Sequence, residues 1–186
     1  MNYFSIDLGE KFPEIVNCVV EIPKDTNVKY EYDPNNNIFK VDRCLISAMR
    51  YPVNYGFIPQ TLADDGDPLD IIIYSRFSFT TGCVSECKII GGLDMTENGN
   101  KDYKIIGVPT FIESVNHIKD LKDDWLEVTR DFFKNYKNVE KKKVTVGKWF
   151  TANKAKQIVK ILLRLLQTKF VPNFLFFQQK KNKQKY

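Results

Sequence analysis

The sequence predicts an α+β domain in which a small barrel or curled sheet is followed by two helices. Three observations carry that prediction. About the first two-thirds of the chain reads as short apolar or alternating runs punctuated by Pro, Gly and Asn. Two later segments repeat apolar residues at helical spacing. The 186 residues, 43% hydrophobic and 27% charged, suit one domain with a sizeable core.

Ile15 to Ile22 is a valine-rich run closed by Pro23, and it reads as the first strand. Lys29 to Asp33 and Ile38 to Arg43 flank Pro34-Asn35-Asn36-Asn37, which is hairpin chemistry. Side chains two apart share a strand face, so Lys29 and Glu31 point the same way, and Arg43 ends the pairing strand. The stretch holding Pro52, Gly56, Pro59 and Gly66 reads as loop. Leu69 to Tyr74, Cys83 to Met95 and Asp102 to Val108 read as further strands, the last two joined through Asn98-Gly99-Asn100.

Trp125, Val128, Thr129, Phe132, Phe133 and Tyr136 form a helical stripe across Leu121 to Lys137. Ala155, Ile158, Val159, Leu162, Leu163 and Leu166 form a second, with Thr151 as its N-cap and Pro172 as its stop. Residues 1–168 make the expected domain. Residues 169–186 are an extension, apolar and then lysine-rich. It reads first as a segment packed on the barrel or a subunit and followed by a disordered tip, and second as a tail for a membrane surface or partner.

The net charge of +5 is concentrated at Lys141, Lys142 and Lys143 and at Lys180, Lys181, Lys183 and Lys185. The remainder is close to neutral, so nucleic-acid binding gains little support. Four cysteines without a C-x-x-C pair read as buried, reduced thiols. A single histidine, His117, excludes a multi-histidine metal site and reads as a loop buttress. No signal peptide and no run of ~20 apolar residues is found, which predicts a cytoplasmic protein without a membrane span.

Asp64-Asp65-Gly66-Asp67-Pro68-Leu69-Asp70 concentrates acids beyond what a turn requires. Two carboxylates ~4 Å apart repel by about 4 kcal/mol at an effective dielectric of 20. Cations must offset that cost, and hard oxygen ligands select Mg²⁺, Mn²⁺ or Ca²⁺. The alternative is a solvated acidic turn. An EF-hand fits worse, because its twelve-residue spacing and final Glu are missing. Asp102 and Lys104 share another strand face, and an acidic cluster ringed by Lys and Arg suits a metal-complexed polyphosphate.

At these residues the chain resembles soluble family I inorganic pyrophosphatases of prokaryotic type. Asp65-Gly66-Asp67-Pro68-Leu69-Asp70 matches the D-x-D-P-x-D signature. Glu21-Ile22-Pro23, Lys29-Tyr30-Glu31, Val41-Asp42-Arg43, the run Tyr51 to Pro59, Asp102-Tyr103-Lys104 and Phe132 to Lys137 follow in family order. The resemblance implies an OB-like five-stranded barrel with flanking helices. It implies Mg²⁺-dependent hydrolysis of pyrophosphate by in-line attack of a metal-activated water, without a covalent intermediate.

It further implies that Asp65, Asp70 and Asp102 are metal ligands, with Asp67 the general base and Tyr55 beside it. Glu21 and Glu31 would act in the polar shell around the metals. Lys29, Arg43, Lys104, Tyr136 and Lys137 would hold phosphate, with Glu31 and Tyr55 also near the substrate. Glu97 takes the place of a metal-binding Asp and is carried as a ligand. Asp131 and Asn135 replace histidines at the contact through which family members form hexamers. Two rival readings stay open: a metal phosphohydrolase for nucleotides, and an OB-fold nucleic-acid binder.

Overall fold

A computed structural model describes residues 2–140 and 142–163. Its strands are β1 (Ile15–Ile22), β2 (Val28–Asp33), β3 (Ile38–Cys44), β4 (Asn54–Phe57), β5 (Asp70–Ile73), β6 (Val84–Glu97), β7 (Asn100–Lys101), β8 (Lys104–Pro109) and β9 (Val144–Thr151). Helix α1 is Asp123–Asn135, and α2 is described over residues 152–163.

Five strands close into a ring. β1 pairs β4, β4 pairs β5, β5 pairs β8, β8 pairs β6, and β6 returns to β1. Only β5–β8 is parallel. The predicted OB-like barrel is therefore present. β6 is long enough to serve the ring and also to carry β7 and β9 beyond it. The β2–β3 hairpin forms a separate two-stranded sheet.

The ring buries both of its faces, which explains why Ile71-Ile72-Ile73 and Ile105-Ile106 run without polar alternation. Ile72 and Ile106 join a cluster with Tyr51, Tyr55, Phe132 and Phe133, the last two from α1. Ile71, Ile73 and Ile105 join a second cluster that includes Ala155, Val159 and Leu162 of α2. Asp123 and Asp124 occupy the first turn of α1, where acids complement the helix dipole. Thr151 ends β9 and directly precedes α2.

The structure departs from the sequence reading at several points. β4 lies where a loop is predicted, and its four residues are all buried. β9 is a full strand on the far half of β6. Val128 of the α1 stripe faces outward, 55% exposed. Cys18 and Cys87 are buried thiols 3.3 Å apart, whereas Cys44 is exposed. His117 does stand in a loop cap, its backbone N–H donating to Asp120 Oδ2 at 2.8 Å. Leu166, Pro172 and the 169–186 extension fall outside the described residues.

One contact fixes how β4 enters the ring. An ideal Cβ on Gly56 would stand 1.8 Å from the Val19 carbonyl oxygen of β1. Only glycine allows that approach, and the neighbouring Tyr55 is thereby set opposite Ile22 and Ile72.

Candidate active site

The acidic segment is shaped by its own backbone. Gly66 adopts φ +94°, a left-handed conformation that glycine takes without strain. The Asp67 carbonyl accepts from Ala63 N at 2.8 Å, and Asp67 N donates to Asp65 Oδ1 at 3.1 Å. Leu69 is buried and donates its N–H to Thr61 Oγ1 at 2.8 Å, anchoring the segment to the core. Asp65 and Asp67 stay exposed at the rim, and Asp70 opens β5.

Parallel pairing then sets Asp70 opposite Lys104. The buried Lys104 ammonium donates to Asp102 Oδ1 at 2.5 Å and also to Asp70. Burial pulls the Lys104 pKa down, but these two carboxylates outweigh it and leave it raised. Asp102 is raised by burial despite that partner. Asp67 is raised first by burial and then by the charges of Asp65 and Asp70. Tyr55, buried beside the same acids, is held well above the usual phenol range by burial.

The hairpin supplies the opposite wall. Lys29 lies across from Arg43 and pairs with Glu31 and Asp42. Glu21 of β1 accepts from Tyr32 N at 2.9 Å. The far rim comes from the end of β6 and the residues after α1, where Lys137 pairs with Glu97. Burial raises Glu97, yet Lys137 and Lys142 overcome it and hold the carboxyl below its ordinary value. Lys137 itself is lowered by burial. Asp94 is paired with Lys101 at 3.1 Å.

Every site residue singled out in the sequence lines one cavity of about 400 Å³. Sequence reasoning missed Tyr51, Asn98, Asn100, Lys101 and Lys142, which line it too. The lysine run at 141–143 was the available signal for Lys142. Among the described residues, no three acidic, Cys or His side chains already converge as a finished coordination sphere. Between Asp70 and Asp102 the Lys104 ammonium supplies the positive charge instead.

Glu21 gives a test of these electrostatics. Burial raises its pKa from 4.5 to about 8, with the Asp70 charge adding to it. The folded protein then keeps a proton that the unfolded chain releases, so this group costs stability as pH rises from about 4.5 to about 8. In chelator-treated protein, Glu21→Gln should flatten that decline and raise Tm at about pH 8 by a few degrees. Thermal melts at about pH 5 should barely move. An equal change at both pH values would refute the assignment.

The family model for inorganic pyrophosphatase matches residues 18–167. The chain is 40% identical over 158 residues to the inorganic pyrophosphatase of Saccharolobus solfataricus, covering 82% of this chain and 92% of that one. It is 42% identical over 151 residues to the Thermus thermophilus enzyme, covering 80% and 85% respectively. The crystal structure of inorganic pyrophosphatase from Thermus thermophilus superposes with a TM-score of 0.86 at 35% identity, over 90% of this chain and 99% of that one. A ring of five strands, an acidic turn at its mouth and these matches agree, and the chain belongs to the family I inorganic pyrophosphatases of prokaryotic type.

Proposed function

We propose that the protein hydrolyses pyrophosphate to two orthophosphates in the cytoplasm, with Mg²⁺ as cofactor, by in-line attack of water. The observation that carries this reading is one cavity in which carboxylates of β1, β5, β6 and the acidic turn face Lys and Arg of the hairpin and of β8. The donor set fits magnesium, because the acids are hard oxygen ligands and the lining contains no imidazole or thiol. Asp65, Asp70 and Asp102 would hold it, Glu97 would be a further ligand, and Glu21 and Glu31 would act in the polar shell around it. When bound, magnesium neutralises phosphate charge and lowers the pKa of water.

The remaining work falls to the chain. Asp67 takes the proton of the attacking water, and its raised pKa brings it closer to neutrality, where a base is most effective. Tyr55, kept protonated by its surroundings, can donate a hydrogen bond beside it. Arg43, Lys29, Lys104, Lys137 and the Tyr136 hydroxyl hold the phosphates and neutralise charge on the leaving group. The lining offers no Ser, Cys or His nucleophile, which supports direct attack by water.

Phosphate release from pyrophosphate and from ATP, by chelated protein with and without added Mg²⁺, tests the reading. Pyrophosphate should be the faster substrate, and turnover should require the metal. Dominant ATP turnover, or full activity in chelator, would reject it. The family expectation of a hexamer is retained, with the exposed Val128 and Asp131 on α1 as the contact face, and sedimentation would read its mass. Among the described residues no helix is long and apolar enough to cross a membrane.

A further inference from the structure

The hairpin that carries Lys29, Glu31 and Arg43 belongs to neither the ring nor its extensions. Its outer end is fastened by packing, since Tyr32 and Phe39 meet Tyr3, Phe4 and Phe57. Arg43 stands at the opposite end, beside the cavity. Its guanidinium bonds to Asp42, its own neighbour, and through Nε to Glu140 Oε1 at 2.8 Å. Glu140 comes from the connection between α1 and β9, ninety-seven positions away in sequence.

The second Glu140 oxygen is also engaged. Oε2 lies 4.0 Å from Lys142 Nζ, and that ammonium lies 3.5 Å from Glu97 Oε1. Lys137 holds the other oxygen of Glu97. A chain of alternating charges thus runs from the hairpin to the end of β6. Glu140 stands between Arg43 and Lys142, with one oxygen toward each.

We propose that Glu140 is a positioning residue that clamps Arg43, and with it the hairpin, in the orientation that receives a phosphate group of pyrophosphate. This rests on the reading of Arg43 as a phosphate ligand. An Arg fork recognises phosphate by direction as well as charge, so a guanidinium free to swing loses contact even when it stays nearby. Glu140 holds Nε and Asp42 holds Nη1, so among the described residues Nη2 is the nitrogen left for phosphate, and its direction is set by the other two. Two effects of Glu140 on an anionic substrate then oppose each other. Its charge repels pyrophosphate, whereas its grip on Arg43 improves binding.

That opposition makes the test decisive. Glu140→Ala removes charge and grip together, whereas Glu140→Gln removes the charge but keeps an oxygen that can accept from Nε. Positioning predicts that E140A raises KM for magnesium pyrophosphate by about tenfold with kcat within about twofold, and that E140Q restores most of the loss. A through-space charge effect predicts a lower KM in both variants. In a double-mutant cycle with Arg43→Ala, the E140A effect should vanish on the R43A background.

An unchanged or lowered KM in E140A, or an equal increase on both backgrounds, would overturn the clamp while leaving Arg43 a ligand if R43A alone raises KM. An unchanged KM in R43A would instead defeat the reading of Arg43 on which the clamp rests. Circular-dichroism melts establish that each variant is folded, and E140Q carries the test if E140A is not.

Discussion

Replacing Asp67 by Asn should lower kcat for magnesium pyrophosphate by about 10²–10⁴-fold, the range for loss of a general base. The substitution keeps shape and removes only the ability to accept a proton at neutral pH. The fold has little stake in this side chain. What holds the turn is the Asp67 backbone, bonded to Ala63 and Asp65, together with the buried Leu69. Stability should therefore shift by less than about 0.5 kcal/mol. The direction should be upward in metal-free protein, because burial, and then the charges of Asp65 and Asp70, disfavour charge at this position. Stopped-flow phosphate release together with thermal melts separates the two quantities. A folded variant with near-normal kcat would end the assignment of Asp67 as base.

Of the glycine-to-alanine changes among the described residues, Gly56→Ala should damage the fold most, costing about 3 kcal/mol. The added Cβ would meet the Val19 carbonyl oxygen at 1.8 Å and Val20 Cα at 3.0 Å, both backbone atoms. No rotamer change can relieve such a clash, so β1 and β4 must separate. Their separation opens the ring at its only junction between these strands and displaces Tyr55 from the cavity wall. A Tm lower by about 6–12 °C follows for a domain of this size. Activity should fall with it, even below the melting transition. A Tm within about 2 °C of the parent protein would mean that the two strands do not approach as described.

Local chemistry made much of the structure legible in the sequence. The hairpin turn sits where Pro34 and three asparagines stand, and counting outward from it gives the pairs from Asp33 and Ile38 to Tyr30 and Val41; a register shift beyond Tyr30, unmarked in the sequence, then sets Lys29 opposite Arg43 instead of Asp42. The acidic turn is equally local, since Asp65, Asp67 and Asp70 lie within six positions. β4 escaped notice for a physical reason. Strand recognition relies on alternation, and a strand buried on every side between Pro52 and Pro59 offers none. β9 follows a lysine run and contains Gly147, both of which read as loop chemistry.

Within the site, the failures were all contacts made by topology. Lys104 reaches Asp70 only because β5 and β8 are direct parallel neighbours, although β6 and β7 separate them in sequence. Glu140 reaches Arg43 only because the hairpin closes against the segment after α1. Neither contact has a signature in the linear text. Each residue taken alone reads as an ordinary surface charge.

The ammonium lodged between Asp70 and Asp102 bears on how the chain matures. Folding gathers mutually repelling acids, and a protein lacking its own counterion would have to await a divalent ion before closing. Here a lysine carried on β8 places positive charge between two of those acids, so the metal-free chain is expected to reach the same fold, and its far-UV circular dichroism should not change on adding chelator. A divalent ion binding at Asp70 and Asp102 would then share those carboxylates with a tethered amine.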